Sequence, residues 1–92
     1  SARDLWAEVK FIVVPKRDST LITPNLSPLQ LQWLTDRRAQ GRNCWVIVGC
    51  KEGGAILRSP ELWTGMSTNV FKLMLTTRKN VAAAIEQFVN SP

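Results

Sequence analysis

Histidine is absent from the chain, cysteine occurs twice, and seven acidic residues face twelve lysines and arginines. Each shortage excludes something. Without histidine there is no Ser–His–Asp or Cys–His arrangement, and the commonest general base is missing. Any catalysis then falls to carboxylates, lysine and a hard metal ion. Cys44 and Cys50 lie in or beside one apolar run of strand length, and residues of the same strand do not approach closely enough to bridge. With no histidine to complete a zinc site, they are expected to be buried free thiols in a reducing compartment. No stretch approaches the ~20 apolar residues of a membrane span, and no signal peptide is visible. No membrane partner is expected, and the expected location is the cytoplasm. Nor is there a low-complexity tract. The chain begins at Ser1, directly in strand-like sequence, as expected of a processed chain or a fragment that lacks an upstream element.

What is present fits one globular domain over residues 1–92, 45% hydrophobic and 21% charged. A chain this short buries little more than ~60% of its unfolded surface, so its core is marginal and a homodimer or higher homo-oligomer is expected. The formal charge of +5 and pI near 9.9 suit a polyanionic partner.

Residues 5–14, "LWAEVKFIVV", are β-branched and aromatic. They alternate at first and then become wholly apolar, which predicts a strand with one polar-decorated and one buried end. A loop follows, and then "LSPLQLQWLTDRRAQG". Ser27 is a good N-cap, Pro28 fits the first helical position, and Gln30 completes a capping box. Leu26 is the apolar staple residue, Arg37 and Arg38 suit the last turn, and Gly41 is placed to end the helix. "NCWVIVGC" predicts a strand buried on both faces. "KEGG" predicts a turn into an antiparallel partner, "AILRS". "SPELW" predicts a helical turn capped by Ser59, "TGMSTN" a loop, and "VFKLMLTT" a last strand. "RKNVAAAIEQFV" places Val81, Ala84, Ile85 and Phe88 on one helical face. The expected fold class is therefore mixed α/β with a central sheet flanked by helices.

If residues 4–12 are extended, Asp4, Trp6, Glu8 and Lys10 share a face. The Cα atoms of Glu8 and Lys10 then lie roughly 6.5–7 Å apart. That separation suits a carboxylate holding a divalent ion while an ammonium positions or polarises the attacking water, as phosphodiester hydrolysis requires. Magnesium fits best, since the ligands on offer are hard oxygens. Asp4 is the candidate second carboxylate, but four residues of straight strand separate it from Glu8 by about 13 Å. A shared ion needs a bulge or bend near Leu5–Trp6. A Glu/Lys pair on a solvated strand face is also ordinary surface chemistry.

The order of the motifs adds to this. Asp4, Glu8 and Lys10 are followed by Leu26-Ser27-Pro28-Leu29-Gln30, Trp33-Leu34, Gly41 and "CWVIVG". This succession resembles the PD-(D/E)xK nuclease superfamily, and within it the VRR-NUC-like and small phage-type endonucleases. The resemblance covers residues 4–60 and says little about 61–92. It implies a restriction-endonuclease-like fold, reduced at the N-terminus, and a metal-dependent endonuclease acting on DNA, with branched or four-way-junction DNA as the candidate substrate. It further implies Asp4 and Glu8 as magnesium ligands (with manganese able to substitute), Lys10 as the catalytic lysine and Gln30 as a glutamine at the active-site edge. A phage or bacterial setting is implied as well. The sequence departs from the pattern where Asp4 follows Arg3 instead of proline and lies nearer the E-x-K than in most members. The helix and strand that usually precede the motif are missing. Either a second protomer completes the fold, or Asp4 is not the first carboxylate.

Gln30 has a full structural explanation as the third residue of the capping box. Lys16, Arg17, Arg37, Arg38 and Arg42 are the candidates for phosphate contact, with Lys51 and Arg58 behind them; a charged surface is ordinary. Trp6 shares the Glu8 face, where packing beside the site or at a subunit contact is favoured over stacking on an unpaired base. Trp33, Trp45 and Trp63 suit a core or an interface. "KEGG" lacks the Lys-Ser/Thr of a phosphate loop. The other readings are a non-catalytic basic DNA-binding module or degenerate nuclease fold, and a subunit that completes a larger assembly.

Overall fold

The architecture is set by the apolar run Cys44–Cys50, which forms a strand with every residue buried. In this computed structural model, which describes residues 4–91, the elements in chain order are β1 (Trp6–Phe11), β2 (Leu21–Ile22), α1 (Pro28–Ala39), β3 (Cys44–Cys50), β4 (Gly53–Leu57), α2 (Pro60–Trp63), β5 (Met66–Ser67), α3 (Thr68–Met74) and α4 (Arg78–Asn90). Strand β3 is central in a three-stranded mixed sheet, order β1-β3-β4. β1 runs parallel to it from Trp6↔Cys44 to Phe11↔Gly49. β4 returns antiparallel from Cys50↔Gly53 to Val46↔Leu57, as the hairpin reading expects. The turn depends on Gly53, whose φ is +146°, and a Cβ there would stand 2.1 Å from the Thr76 carbonyl oxygen. Paired backbone bonds of 2.9 Å between Gly54 and Thr76 tie the approach to α4 onto the sheet edge.

One face of the sheet carries Cys44, Val46, Val48, Cys50, Ala55 and Leu57 into a core closed by Leu34, Trp63, Met66 and Phe71. Removing a side chain such as Leu34 or Phe71 from water contributes roughly 1.5–3 kcal/mol each. Helix α1 supplies Leu34 and is held at its start by the expected capping box: Gln30 N–H donates to Ser27 Oγ at 3.1 Å, and Ser27 N–H donates to Gln30 Oε1 at 3.0 Å. Gly41, with φ +81°, turns the chain away after it. On the opposite face α4 packs through Phe88 against Trp45, ring centroids 5.0 Å apart. Its Val81, Ala84, Ile85 and Phe88 are half-buried, as the helical spacing predicts.

Four expectations are corrected. The strand over 5–14 ends at Phe11, and its apolar end is only half buried: Ile12 and Val14 pack on the core, whereas Phe11 and Val13 are 77% and 92% exposed. β1 is an edge strand, and α4 lies over β4 and Trp45. "VFKLMLTT" is not a strand but contributes α3, because Ser67 Oγ accepts from Val70 N–H and starts a helix that buries Thr68 and Phe71. "TGMSTN" is not all loop, since Met66–Ser67 pairs with Leu21–Ile22 in a second, two-stranded sheet. Ser59 does not cap α2 through its side chain; its hydroxyl donates to the Glu61 carboxylate instead. Trp63 Nε1–H fastens that turn by donating to Leu57 O at 2.9 Å. Among the described residues no helix is long and apolar enough to cross a membrane.

Candidate functional site

The register of β1 on β3 is unbroken from Trp6 to Phe11, so side chains alternate strictly and Trp6, Glu8 and Lys10 share the face turned to α1. Helix α1 supplies the partners. Gln30 Nε2 donates to Glu8 Oε1 at 3.1 Å, and Lys10 Nζ lies 3.9 Å from the same oxygen. The side chains of Lys10 and Glu8 are 26% and 25% exposed, partly screened from water yet open to a ligand. Gln30 is therefore both the capping residue of α1 and a hydrogen-bond partner of Glu8. Because its Oε1 accepts from Ser27 N–H, its NH₂ is the end left to face Glu8. A loose ion pair of this kind contributes about 0–1 kcal/mol, so its consequence is placement more than stability.

Asp4 lies two residues before β1, exposed, and its carbonyl oxygen accepts from Asn43 Nδ2 at 3.1 Å. From Trp6 to Phe11 the pairing continues without the bulge that a shared ion would require. Asp4 lines a cavity of about 730 Å³ together with Leu5, Trp6, Trp33, Arg37 and Arg42. Glu8 and Gln30 line a different one, of about 310 Å³, which shares the Trp6–Trp33 wall. The structure thus brings Glu8, Lys10 and Gln30 together and places Asp4 beyond the aromatic pair.

The basic candidates fall into two groups. Lys16 and Arg17 are exposed beyond the C-terminal end of β1. The loop that carries them is fixed at its far side by Lys72 Nζ on Asp18 Oδ1, 2.8 Å. Arg37, Arg38 and Arg42 cluster near the opposite end of β1, with the Arg37 guanidinium 4.6 Å from the centroid of the Trp33 ring. Cys44 lines the same cavity. Burial pushes its thiol up, while the charges of Arg37, Arg38 and Arg42 pull it partly back, so three guanidiniums act on that spot. Trp6 and Trp33 meet edge-on, centroids 4.6 Å apart and planes at 60°. The pairing of these two rings was not read from the sequence. Their i, i+2 and i, i+3 spacing from Glu8 and Gln30 carries the information, once β1 and α1 are packed together.

A divalent ion is tested against these donors. Among the described residues no group of three or more Asp, Glu, His or Cys side chains converges on one point. Asp4 and Glu8 line different cavities, separated by the Trp6–Trp33 wall. Glu8 alone fits the weaker arrangement usual for Mg²⁺, in which one carboxylate, several waters and substrate phosphate oxygens complete the shell. No family model matches the chain, and neither a curated protein nor a solved structure does.

Proposed function

We propose that this protein is a metal-dependent endonuclease of the PD-(D/E)xK type, acting on DNA from a reduced restriction-endonuclease-like fold. The observation that carries the reading is the convergence of Glu8, Lys10 and Gln30 on one partly open face of β1, with basic residues at both ends of that strand. Glu8 is the residue that would hold magnesium or manganese, which when bound lowers the pKa of a coordinated water and offsets phosphate charge. Lys10 places its ammonium where negative charge develops on the phosphate oxygens. Gln30 holds the Glu8 carboxylate in orientation by its N–H bond. Lys16, Arg17, Arg37, Arg38 and Arg42 neutralise backbone phosphates, an interaction weakened by salt. The open edge of β1, with Val9, Phe11 and Val13 exposed beside it, supports a homodimer and suits a two-fold branched substrate. A DNA-processing protein of this kind belongs in the cytoplasm of a bacterial or phage-infected cell.

The position of Asp4 favours a second reading, a non-catalytic DNA-binding module on a degenerate nuclease fold. One assay separates them. The protein is incubated with a labelled four-way junction and a linear duplex, with and without Mg²⁺ or Mn²⁺, beside Glu8→Ala and Lys10→Ala. Metal-dependent cleavage lost in both variants supports the enzyme. Binding without cleavage, unchanged in either variant, supports the module.

A further inference from the structure

The cavity at the start of β1 is larger than the one holding Glu8, and its walls differ in chemistry. Trp6 is 51% exposed although its ring packs edge-on against Trp33. Its indole thus stands half open at the mouth of a concavity, an apolar ring face beside polar groups. The Trp33 ring is engaged by Arg37, Arg42 lines the same cavity, and Arg37, Arg38 and Arg42 together make its Cys44 side electropositive. The volume of about 730 Å³ lies within the roughly 300–1,000 Å³ of ordinary ligand sites. A bare anion such as phosphate uses the guanidiniums but not the indole faces, and the Asp4 carboxylate at the rim opposes it. A planar aromatic ring attached to an anion uses both, and its exocyclic amino groups suit Asp4 and Asn43. That description fits a nucleotide.

We propose that this cavity is a stacking subsite for one unpaired nucleobase, whose neighbouring phosphate lies across the Trp6–Trp33 wall beside Glu8 and Lys10. This deepens the nuclease reading and rests on it for the role of the phosphate. The two cavities share Trp6 and Trp33, and Trp6 and Glu8 are two residues apart on one strand face, about 6.6 Å between Cα atoms. A base taken into the first cavity therefore sets its strand against the second. The substrate class that follows is DNA with an extrahelical or single-stranded base, in preference to perfect duplex.

The test measures binding of fluorescently labelled DNA in EDTA, where no cleavage occurs. Three probes are compared: perfect duplex, the same duplex with one bulged nucleotide, and the bulge with its base removed to leave an abasic sugar. Wild-type protein is expected to bind the bulged base more tightly than the abasic bulge. Trp6→Ala is expected to weaken the bulged-base complex by about 5- to 150-fold, the span of one base–aromatic stack, and Trp6→Phe to restore most of it. Perfect duplex and abasic bulge are expected to bind the Trp6→Ala protein as they bind the wild type. Arg42→Gln is expected to lower the salt dependence for the bulged-base probe by about one charge. Equal wild-type affinity for bulged and abasic probes overturns the proposal, and this comparison needs no variant to fold. A Trp6→Ala loss equal across all three probes overturns it as well. Repeating the series in Mg²⁺ separates the two readings: base discrimination without cleavage retains the subsite and rejects the nuclease, whereas cleavage without discrimination rejects the subsite alone.

Discussion

The carboxamide of Gln30 divides its two ends between a helix and a carboxylate: Oε1 accepts from Ser27 N–H at 3.0 Å and Nε2 donates to Glu8 Oε1 at 3.1 Å. One side chain thus fixes the start of α1 and the orientation of Glu8 on β1. Its two duties are separable by substitution. Gln30→Ala removes both, and the loss of a capping partner and a charge-assisted bond is expected to cost about 1–2 kcal/mol in urea unfolding.

Gln30→Glu keeps an acceptor at the third helical position, where a carboxylate also suits the helix dipole. It replaces the donor to Glu8 with a like charge. The two facing carboxylates then repel one another while both are ionised. A folded-state pKa above the unfolded one gives stability present at low pH and lost as pH rises through the folded value. Gln30→Glu is therefore expected to gain stability relative to the wild type as pH falls from 7 toward 4. A variant that tracks the wild type across that range would count against Gln30 facing Glu8.

Glu8→Gln and Lys10→Met test the chemistry without emptying the site. Under the nuclease reading each lowers metal-dependent cleavage of a four-way junction by at least ~10²-fold, the scale of one positioned acid–base or charge-stabilising group. Both are expected to leave the urea midpoint nearly unchanged, because a loose ion pair contributes about 0–1 kcal/mol. Retained cleavage in Glu8→Gln would remove Glu8 from the site.

The sequence was most legible where local chemistry and tertiary structure agree. Ser27, Pro28 and Gln30 announce α1, and the buried run at 44–50 announces β3, because cap bonds and continuous apolarity are local properties. It was least legible at 68–74. There the alternating look of "VFKLMLTT" reflects exposed Val70 and Leu73 beside buried Phe71. The periodicity that matters, Thr68 to Phe71, needs the Ser67 cap to be noticed. Two-residue strands such as Leu21–Ile22 have no signature of their own, since their partner lies some 45 residues away in the chain and supplies the pairing. The Glu8–Lys10 pair follows from period two. That Asp4 lines a cavity with Arg37 and Arg42 instead of with Glu8 does not, since it depends on where α1 ends against β1.

Gly53 and Gly41 both have positive φ, but they differ in what a methyl group would meet. At Gly41 nothing lies within 4 Å, whereas at Gly53 the Thr76 carbonyl oxygen stands 2.1 Å from a built Cβ. Gly41→Ala is expected to cost about 1–2 kcal/mol, the ordinary penalty of left-handed backbone. Gly53→Ala must in addition displace Thr76 and break its 2.9 Å pairing with Gly54. It is expected to destabilise clearly more than Gly41→Ala in parallel urea titrations. Equal losses would mean that the Gly54–Thr76 bridge does not hold α4 to the sheet.

Cys44 and Cys50 are expected to give the fold an alkaline limit. Both are free and buried. Burial pushes each thiol above its ordinary value of 9.0; Arg37, Arg38 and Arg42 partly oppose this at Cys44, and the Glu52 side chain adds to it at Cys50. A thiol with a raised folded-state pKa holds its proton when the unfolded chain has already released it. Above about pH 9 the unfolded state therefore binds fewer protons, and stability falls as pH rises through the folded values. The wild-type urea midpoint is expected to drop between pH 8 and pH 10. The double variant Cys44→Ala/Cys50→Ala starts lower, because two buried sulfurs are lost from the core. It is nevertheless expected to show a shallower decline over the same interval. Parallel slopes would mean that the thiols are solvated in the folded protein, and the close packing of β3 against α1 would then be wrong.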